Sequence, residues 1–216
     1  MTLPMQATVL AAGAAAPSSF AEAYRDYAQR VARWAHNLGG CQPDVEDVVQ
    51  EVFLVVSRKL SGYTANGSFT SWLFEITRRV VANHRRRQRR IVSQHLGEEM
   101  LEGVPSRALD PAAELERRLM AALLYRALDQ LPEKYRTVFV LFEIEDLSIQ
   151  EISELCRLNL STVRVQLVRA RERFMRAYQK LVRAEAGTTG TTLPAIAERT
   201  VGIEASFVAR LRKETS

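Results

Sequence analysis

The chain has 216 residues, 47% of them hydrophobic, with 30 Lys+Arg against 25 Asp+Glu for a formal net charge of +5. This length suits one or two domains, and the basic excess admits a polyanionic partner without demanding one. Two cysteines far apart, Cys41 and Cys156, exclude a disulfide scaffold, fit a reducing compartment and, with His36, His84 and His95, make no metal-ligand spacing.

Residues 1–17 are apolar and rich in small side chains but have no basic start, so they read as a disordered lead-in and not as a signal peptide. No stretch is long enough to span a membrane, and the expected location is the cytoplasm. A helix follows, with Phe20, Tyr24, Tyr27, Val31, Trp34 and Leu38 on one stripe and Gly39-Gly40 as its stop. A second begins at Pro43. Val45, Val48, Val49, Val52, Phe53 and Val56 recur at helical spacing, while Asp44, Asp47 and Glu51, with Glu46 and Gln50 beside them, form an acidic ridge. The ridge is either a solubilising surface or a docking surface for a basic partner.

The turn-rich loop SGYTANGSFTS leads into a third helix in which Trp72, Leu73, Ile76 and Val80 pack. Seven arginines fall between Arg78 and Arg90. With Tyr63, Phe69 and Trp72 just ahead of them, this is an arrangement that holds single-stranded nucleic acid: bases stack on rings and arginines neutralise phosphates. Trp72 fits a core position equally well. From Ile91 to about Glu116 the periodicity is lost among Gly97, Gly103, Pro105, Pro111 and acidic residues, so this stretch reads as a flexible acidic linker.

Beyond it, Leu119, Leu123, Ala127, Leu128 and Leu131 form a fourth helix that ends at Pro132. Tyr135, Val138, Phe139 and Phe142 make the stripe of a fifth. Ser148–Phe174 then reads as two helices and a sharp turn. Ile149, Ile152 and Leu155 face inward in the first. Asn159 suits the N-cap of the second, whose stripe is Leu160, Val163, Leu167, Ala170 and Phe174. Its other side carries Ser161, Thr162, Arg164, Val165, Gln166, Arg169 and Arg173. That is the layout of a helix-turn-helix, whose second helix enters the major groove N-terminus first. Two amphipathic helices with a solvated Arg-rich face would give the same periodicity. After a Gly/Thr joint at 187–192, a last helix with Ile196, Ile203, Phe207 and Leu211 on one side is expected.

The blocks FAEAYRDYAQRVARWA, DVEDVVQEVFLVV and GSFTSWLFEITRRVVANHRRRQRR, followed after a linker by ALDQLPEKYRTVFVLFEIEDLSIQEISELCRLNLSTVRVQLVRARERF, resemble regions two and four of bacterial RNA polymerase sigma factors of the extracytoplasmic-function group. The resemblance covers most of residues 20–180. It implies an all-α protein of two small helical domains: lead-in 1–17, region two 18–90, linker 91–117, region four with its helix-turn-helix 118–183, and an extension 184–216 about which it says nothing.

The resemblance also implies no bond chemistry, no cofactor and no metal. The partners it implies are core RNA polymerase, promoter DNA as duplex and as melted strand, and an anti-sigma factor. Asp44, Asp47, Gln50 and Glu51 would dock on polymerase, with Phe53 beside them and more inclined to pack. Tyr63, Asn66, Ser68, Phe69, Trp72, Arg79, Asn83, Arg86 and Arg87 would take up the start-proximal (−10) element, where a base is flipped into a pocket at a cost of a few kcal/mol. Ser161, Thr162, Arg164, Val165 and Gln166 would read the upstream (−35) element, and Arg169, Arg171 and Arg173 would hold phosphates.

Two departures from the family pattern bear on the site. Asn83 stands where Asp is frequent. Arg157 stands in the turn where Gly is common, so either the turn avoids positive φ or Arg tolerates it. An autonomous helix-turn-helix regulator is the alternative reading, which leaves the acidic ridge and the Tyr63–Arg90 block unexplained. A DNA recombinase with Ser68 as nucleophile lacks any accompanying base or carboxylate cluster.

Overall fold

The computed structural model describes residues 16–39, 44–64, 67–94 and 121–189. Among these, seven α-helices and one 3-10 turn account for the regular structure, with no strand: α1 (Phe20–Gly39), α2 (Val45–Lys59), the turn Leu60–Gly62, α3 (Phe69–Gln94), α4 (121–129), α5 (Glu133–Glu143), α6 (Ile149–Cys156) and α7 (Leu160–Thr189). The expected last helix and the loop residues 65–66 lie outside the described residues. No described helix is long and apolar enough to cross a membrane. α3 runs to Gln94, four residues into the stretch read as linker, because nothing between Arg90 and Gln94 breaks a helix and the first glycine comes at Gly97.

The chain forms two compact units. One joins Met1–Arg87 with Val140–Arg164, and the other joins Gln88–Phe139 with Val165–Ser216.

In the first unit, α1 starts where Ser19 Oγ accepts from the Glu22 N–H at 3.2 Å and the Glu22 carboxylate accepts from Ser18 N–H and Oγ at 2.8 Å. Those Ser18 hydrogen bonds hold the Glu22 carboxyl below its ordinary range. Tyr27, Val31, Trp34 and Leu38 are buried as their spacing dictates, while Phe20 and Tyr24 at the helix start stay partly exposed. Asp44 caps α2 by accepting from the Asp47 N–H at 3.1 Å, so the helix begins at Val45. Val48, Val52, Phe53 and Val56 form its buried stripe, and α2 packs on α1. The aromatic contacts Tyr24–Phe53 (4.8 Å), Tyr27–Phe69 (5.0 Å) and Trp34–Phe74 (5.0 Å) join α1 to α2 and α3 edge to face. α6 opens with a capping box between Ser148 and Glu151 and buries Ile149, Ile152 and Leu155.

In the second unit, the Pro132 carbonyl accepts from the N–H groups of Tyr135 and Arg136, which starts α5 directly after α4. Leu123, Ala127, Leu128 and Leu131 are buried, as are Val138, Phe139, Leu167, Ala170, Phe174 and Tyr178. Phe139 and Phe174 pack with centroids 4.6 Å apart. Arg136 is fully buried and lies 3.1 Å from Asp129.

Candidate nucleic-acid and polymerase interfaces

The helix-turn-helix is built from α6 and α7. The Asn159 carbonyl accepts from the Val163 N–H at 3.0 Å, which places Asn159 at the N-cap. Val163 and Leu167 turn inward, so Ser161, Arg164 and Val165 are exposed at the open end of the helix, with Thr162 and Gln166 half-buried beside them. Leu160, expected on the packed stripe, is exposed at the first helical position.

Further along α7, Arg169 and Arg173 are exposed and held by Tyr135. The Arg173 guanidinium lies 5.0 Å from the ring centroid. The Arg169 hydrogen bond draws the phenol below the usual tyrosine range. Arg171 differs from expectation: it is 6% exposed. Four residues after Leu167 and three before Phe174, it falls on the packed stripe and cannot take a phosphate.

The turn between the helices settles the question raised by its arginine. Arg157 adopts φ 54°, ψ 46°, the left-handed conformation. Its N–H reaches the Ser153 and Glu154 carbonyls, the Leu158 N–H donates to the Ser153 carbonyl at 3.0 Å, and Ser153 Oγ donates back to the Leu158 carbonyl at 2.5 Å. Arg tolerates the position at a cost of about 1–2 kcal/mol, because the cap bonds fix it there. Neighbouring Cys156 keeps some surface, but burial around its thiol pushes the pKa up to about 12.

Around α3, Tyr63, Phe69 and Trp72 form one aromatic cluster, with centroids 5.1–5.4 Å apart. Tyr63 donates its hydroxyl to the Gly67 carbonyl at 2.9 Å, and Gly67 has φ 114°, which excludes most side chains. Phe69 is buried between this cluster and Tyr27, so it supports the other rings and presents no face for a base. Ser68 is exposed but caps α3: its Oγ accepts from the Ser71 N–H at 3.1 Å. Asn66 lies outside the described residues. Arg79, Asn83, Arg86, Arg87 and Arg90 are exposed along the helix. Glu75 pairs with Arg78 and Arg79, and the Asn83 carbonyl oxygen accepts from Arg86.

Beside this cluster is a cavity of about 550 Å³ lined by Arg58, Lys59, Ser61, Gly62, Tyr63, Thr64, Trp72 and Arg157. Arg58 and Lys59 were not among the residues expected here. The signal for them was two cations ending α2 just before the SGYT loop.

On α2, Asp47 and Gln50 are exposed, and Asp44 divides its role between surface and cap. Glu51 is half-buried, with its Oε2 2.7 Å from His84 Nε2 and 3.8 Å from Arg87. Phe53 is buried against Tyr24 and does not reach the surface. Leu54 is 57% exposed on the face of Asp47, Gln50 and Glu51, so the ridge carries an apolar side chain that the acidic pattern did not reveal. Among the described residues no group of three or more His, Cys, Asp or Glu could hold a metal ion.

An exposed, cationic second helix behind a sharp turn defines a DNA-binding helix-turn-helix protein, and the α2–α3 portion places it further. Residues 23–91 match sigma-70 region 2 and residues 121–174 match sigma-70 region 4. The chain is 37% identical over 158 residues to the ECF RNA polymerase sigma factor SigE of Mycolicibacterium smegmatis, covering 73% of this chain and 61% of that protein. It is 31% identical to the ECF RNA polymerase sigma-E factor of Escherichia coli K12 and 32% identical to the RNA polymerase sigma-H factor of Pseudomonas aeruginosa. Each of these matches covers 65% of this chain and 76% of the relative. The chain therefore belongs to the extracytoplasmic-function group of sigma-70 family sigma factors. The SigE match spans less than two thirds of that relative's length.

Proposed function

We propose that this chain binds core RNA polymerase through the exposed face of α2, reads the −35 element with the start of α7, and opens DNA at the −10 element with the loop before α3 and with α3 itself. It acts in the cytoplasm and is held in check by an anti-sigma partner. The observation that carries the reading is the co-occurrence, in one chain and in this order, of regions 2 and 4 with their expected faces exposed.

The division of labour follows from exposure and chemistry. Asp47, Gln50 and Glu51 offer carboxylates and an amide to a basic surface, and Leu54 supplies the apolar contact that such interfaces need at their centre. Arg164, exposed at the start of α7, can make a bidentate contact to a base edge, half-buried Gln166 offers its amide nitrogen beside it, and Val165 can meet a thymine methyl group. Arg169 and Arg173 take phosphates. At the −10 element, Tyr63 and Trp72 offer ring faces to an unstacked base, while Arg79, Asn83, Arg86 and Arg87 track the strand. The domain partition follows the same plan: 18–90 docks and melts, 118–183 reads duplex, and 91–117 links them.

The test is run-off transcription with sigma-free core polymerase on genomic fragments from the source bacterium. Discrete transcripts that depend on the added protein are expected, and their start sites give both promoter elements. Core binding that is absent, together with sequence-specific duplex binding by the chain alone, would establish the autonomous regulator instead.

A further inference from the structure

α5 opens beside the arginine flank of α7, and one tyrosine there gathers cations from both helices. Lys134 Nζ lies 4.9 Å from the centroid of the Tyr135 ring, and the Arg173 guanidinium lies 5.0 Å from it. Arg169 donates a hydrogen bond to the Tyr135 hydroxyl. That bond, with Lys134 acting in the same direction against burial, is what draws the phenol down. Tyr135 itself is buried, while Lys134, Arg169 and Arg173 are exposed. Its N–H donates to the Pro132 carbonyl at 2.9 Å, so its backbone is pinned at the start of α5. The ring is a fixed support for three long side chains.

Charge alone disfavours this gathering. Arg169 and Arg173 are four residues apart on one helix, where like charges repel, and Lys134 brings a third to the same ring. Among the described residues none of the three is in an ion pair. Glu172, beside Arg173 in the chain, pairs instead with Arg176 at 3.9 Å. The tyrosine face offsets part of the repulsion, and a polyanion would remove the rest. The geometry of α7 identifies where that polyanion lies. At 3.6 residues per turn, Arg169 and Arg173 fall about 140° and 180° around the helix from Arg164. A helix about 10–12 Å across nearly fills a major groove of about 12 Å, so side chains on this flank meet a sugar-phosphate wall and not base edges. Lys134 stands at the same flank on another helix, and it therefore faces the same strand.

We propose that Lys134 is a third phosphate contact of the upstream duplex, and that Tyr135 is the positioning residue that holds Lys134, Arg169 and Arg173 together against one strand. The proposal rests on the reading of α7 given above. A free lysine or arginine side chain has many rotamers and loses most of them when it takes a phosphate. Side chains already resting on Tyr135 have lost part of that freedom beforehand, so the duplex gains its contacts at a smaller entropic loss. Tyr135 does not touch DNA in this role and acts only through the cations. The cluster sets affinity and register and carries no sequence information.

The experiment uses the full chain and a labelled duplex of about 30 base pairs of arbitrary sequence, because phosphate contacts act on any sequence. Anisotropy is titrated at several salt concentrations, beside a thermal melt of each variant. Lys134→Ala should reduce the salt slope by about 1, as Arg169→Ala or Arg173→Ala does. Tyr135→Phe keeps the ring and all three charges and loses only the hydroxyl. It should weaken binding about threefold with the salt slope unchanged. Tyr135→Leu also loses the ring face and should weaken binding about tenfold. In a chain with Lys134, Arg169 and Arg173 all changed to alanine, Tyr135→Leu should weaken binding no further, which a merely structural role would not produce.

An unchanged salt slope in Lys134→Ala overturns the third contact. Wild-type binding by Tyr135→Phe overturns the positioning role. So does a loss from Tyr135→Leu that persists when all three cations are gone, which would leave the tyrosine to the folding of α5. Slope losses confined to Arg169→Ala and Arg173→Ala remove the proposal and leave the DNA reading of α7 standing. No duplex binding by the wild-type chain even at low salt rejects that reading and the proposal with it.

Discussion

Glu51 on the acidic face of α2 and His84 on the arginine-rich α3 lie 2.7 Å apart, Oε2 to Nε2. The proposed polymerase face and the proposed strand-opening face therefore share a contact, and the ridge residues are not equivalent probes of docking. Asp47→Arg changes an exposed side chain and should abolish binding to core polymerase, while losing only the helix N-terminal charge effect, about 1 kcal/mol or less. Glu51→Arg removes the His84 contact and sets a cation beside Arg87, so it should lose binding and also about 1–2 kcal/mol of stability. Asp44→Ala removes an N-cap worth about 1 kcal/mol, whereas Asp44→Asn keeps the cap and deletes the charge. Pull-down on core polymerase beside a thermal melt separates these cases. Asp47→Arg that binds normally would remove α2 as the docking face.

On α7 the polar side chains should divide into three kinds. Arg164→Ala or Gln166→Ala should cost about 1–3 kcal/mol on the correct −35 duplex and relax preference at one base pair. Arg169→Ala and Arg173→Ala should weaken all sequences alike and each reduce the salt slope by about 1. Arg171→Ala should leave the salt slope alone and lower the melting temperature, because its side chain is buried. Binding titrations at several salt concentrations distinguish the three, and a salt-slope change at Arg171 would contradict its placement.

The contrast at Arg171 illustrates what could be read from the chain beforehand. Helix periodicity placed the stripes of α1, α2, α5 and α6, and the family resemblance assigned their roles, because burial follows spacing of three and four. Periodicity puts Phe53 on the packed stripe of α2, where it is buried, whereas Phe69, read as a ring beside the arginine block, has no such pattern around it and is buried too. Local cues did not announce what depends on distant parts of the chain. The Arg33–Glu145 pair links residues 112 positions apart (145 − 33), and the wall that Arg157 adds to the Tyr63 cavity joins α6 to the end of α2. The left-handed turn was legible as a question, and only the cap geometry at Ser153 and Leu158 answered it.

Within the second unit, the Asp129–Arg136 pair should be a stability determinant separate from function. Arg136 is fully buried and Asp129 is partly open, so removing the carboxylate takes one charged partner from a guanidinium in the core. Asp129→Ala should destabilise by about 3 kcal/mol. Asp129→Asn, which retains an acceptor oxygen, should cost less. Chemical denaturation of both variants measures the difference, and equal small losses would mean that Arg136 draws its stabilisation from other groups.

Cys156 gives a prediction in pH. Burial raises its thiol pKa from 9.0 to about 12, with the Arg78 charge opposing and Glu75 adding to the rise. A raised folded-state value means that the folded chain keeps its proton where the unfolded chain has lost it. The contribution is therefore fully present below pH 9 and is lost as pH rises from there towards 12. At neutral pH the thiolate, the form that reacts, is scarce in the folded protein. Iodoacetamide at pH 8 should alkylate the peptide containing Cys156 slowly, with a rate that rises sharply through the denaturation transition. Cys156→Ser should leave the pH dependence of stability flatter between pH 9 and 11. Rapid alkylation of Cys156 in the native chain would place the thiol at the surface and remove the burial that the α6 turn implies.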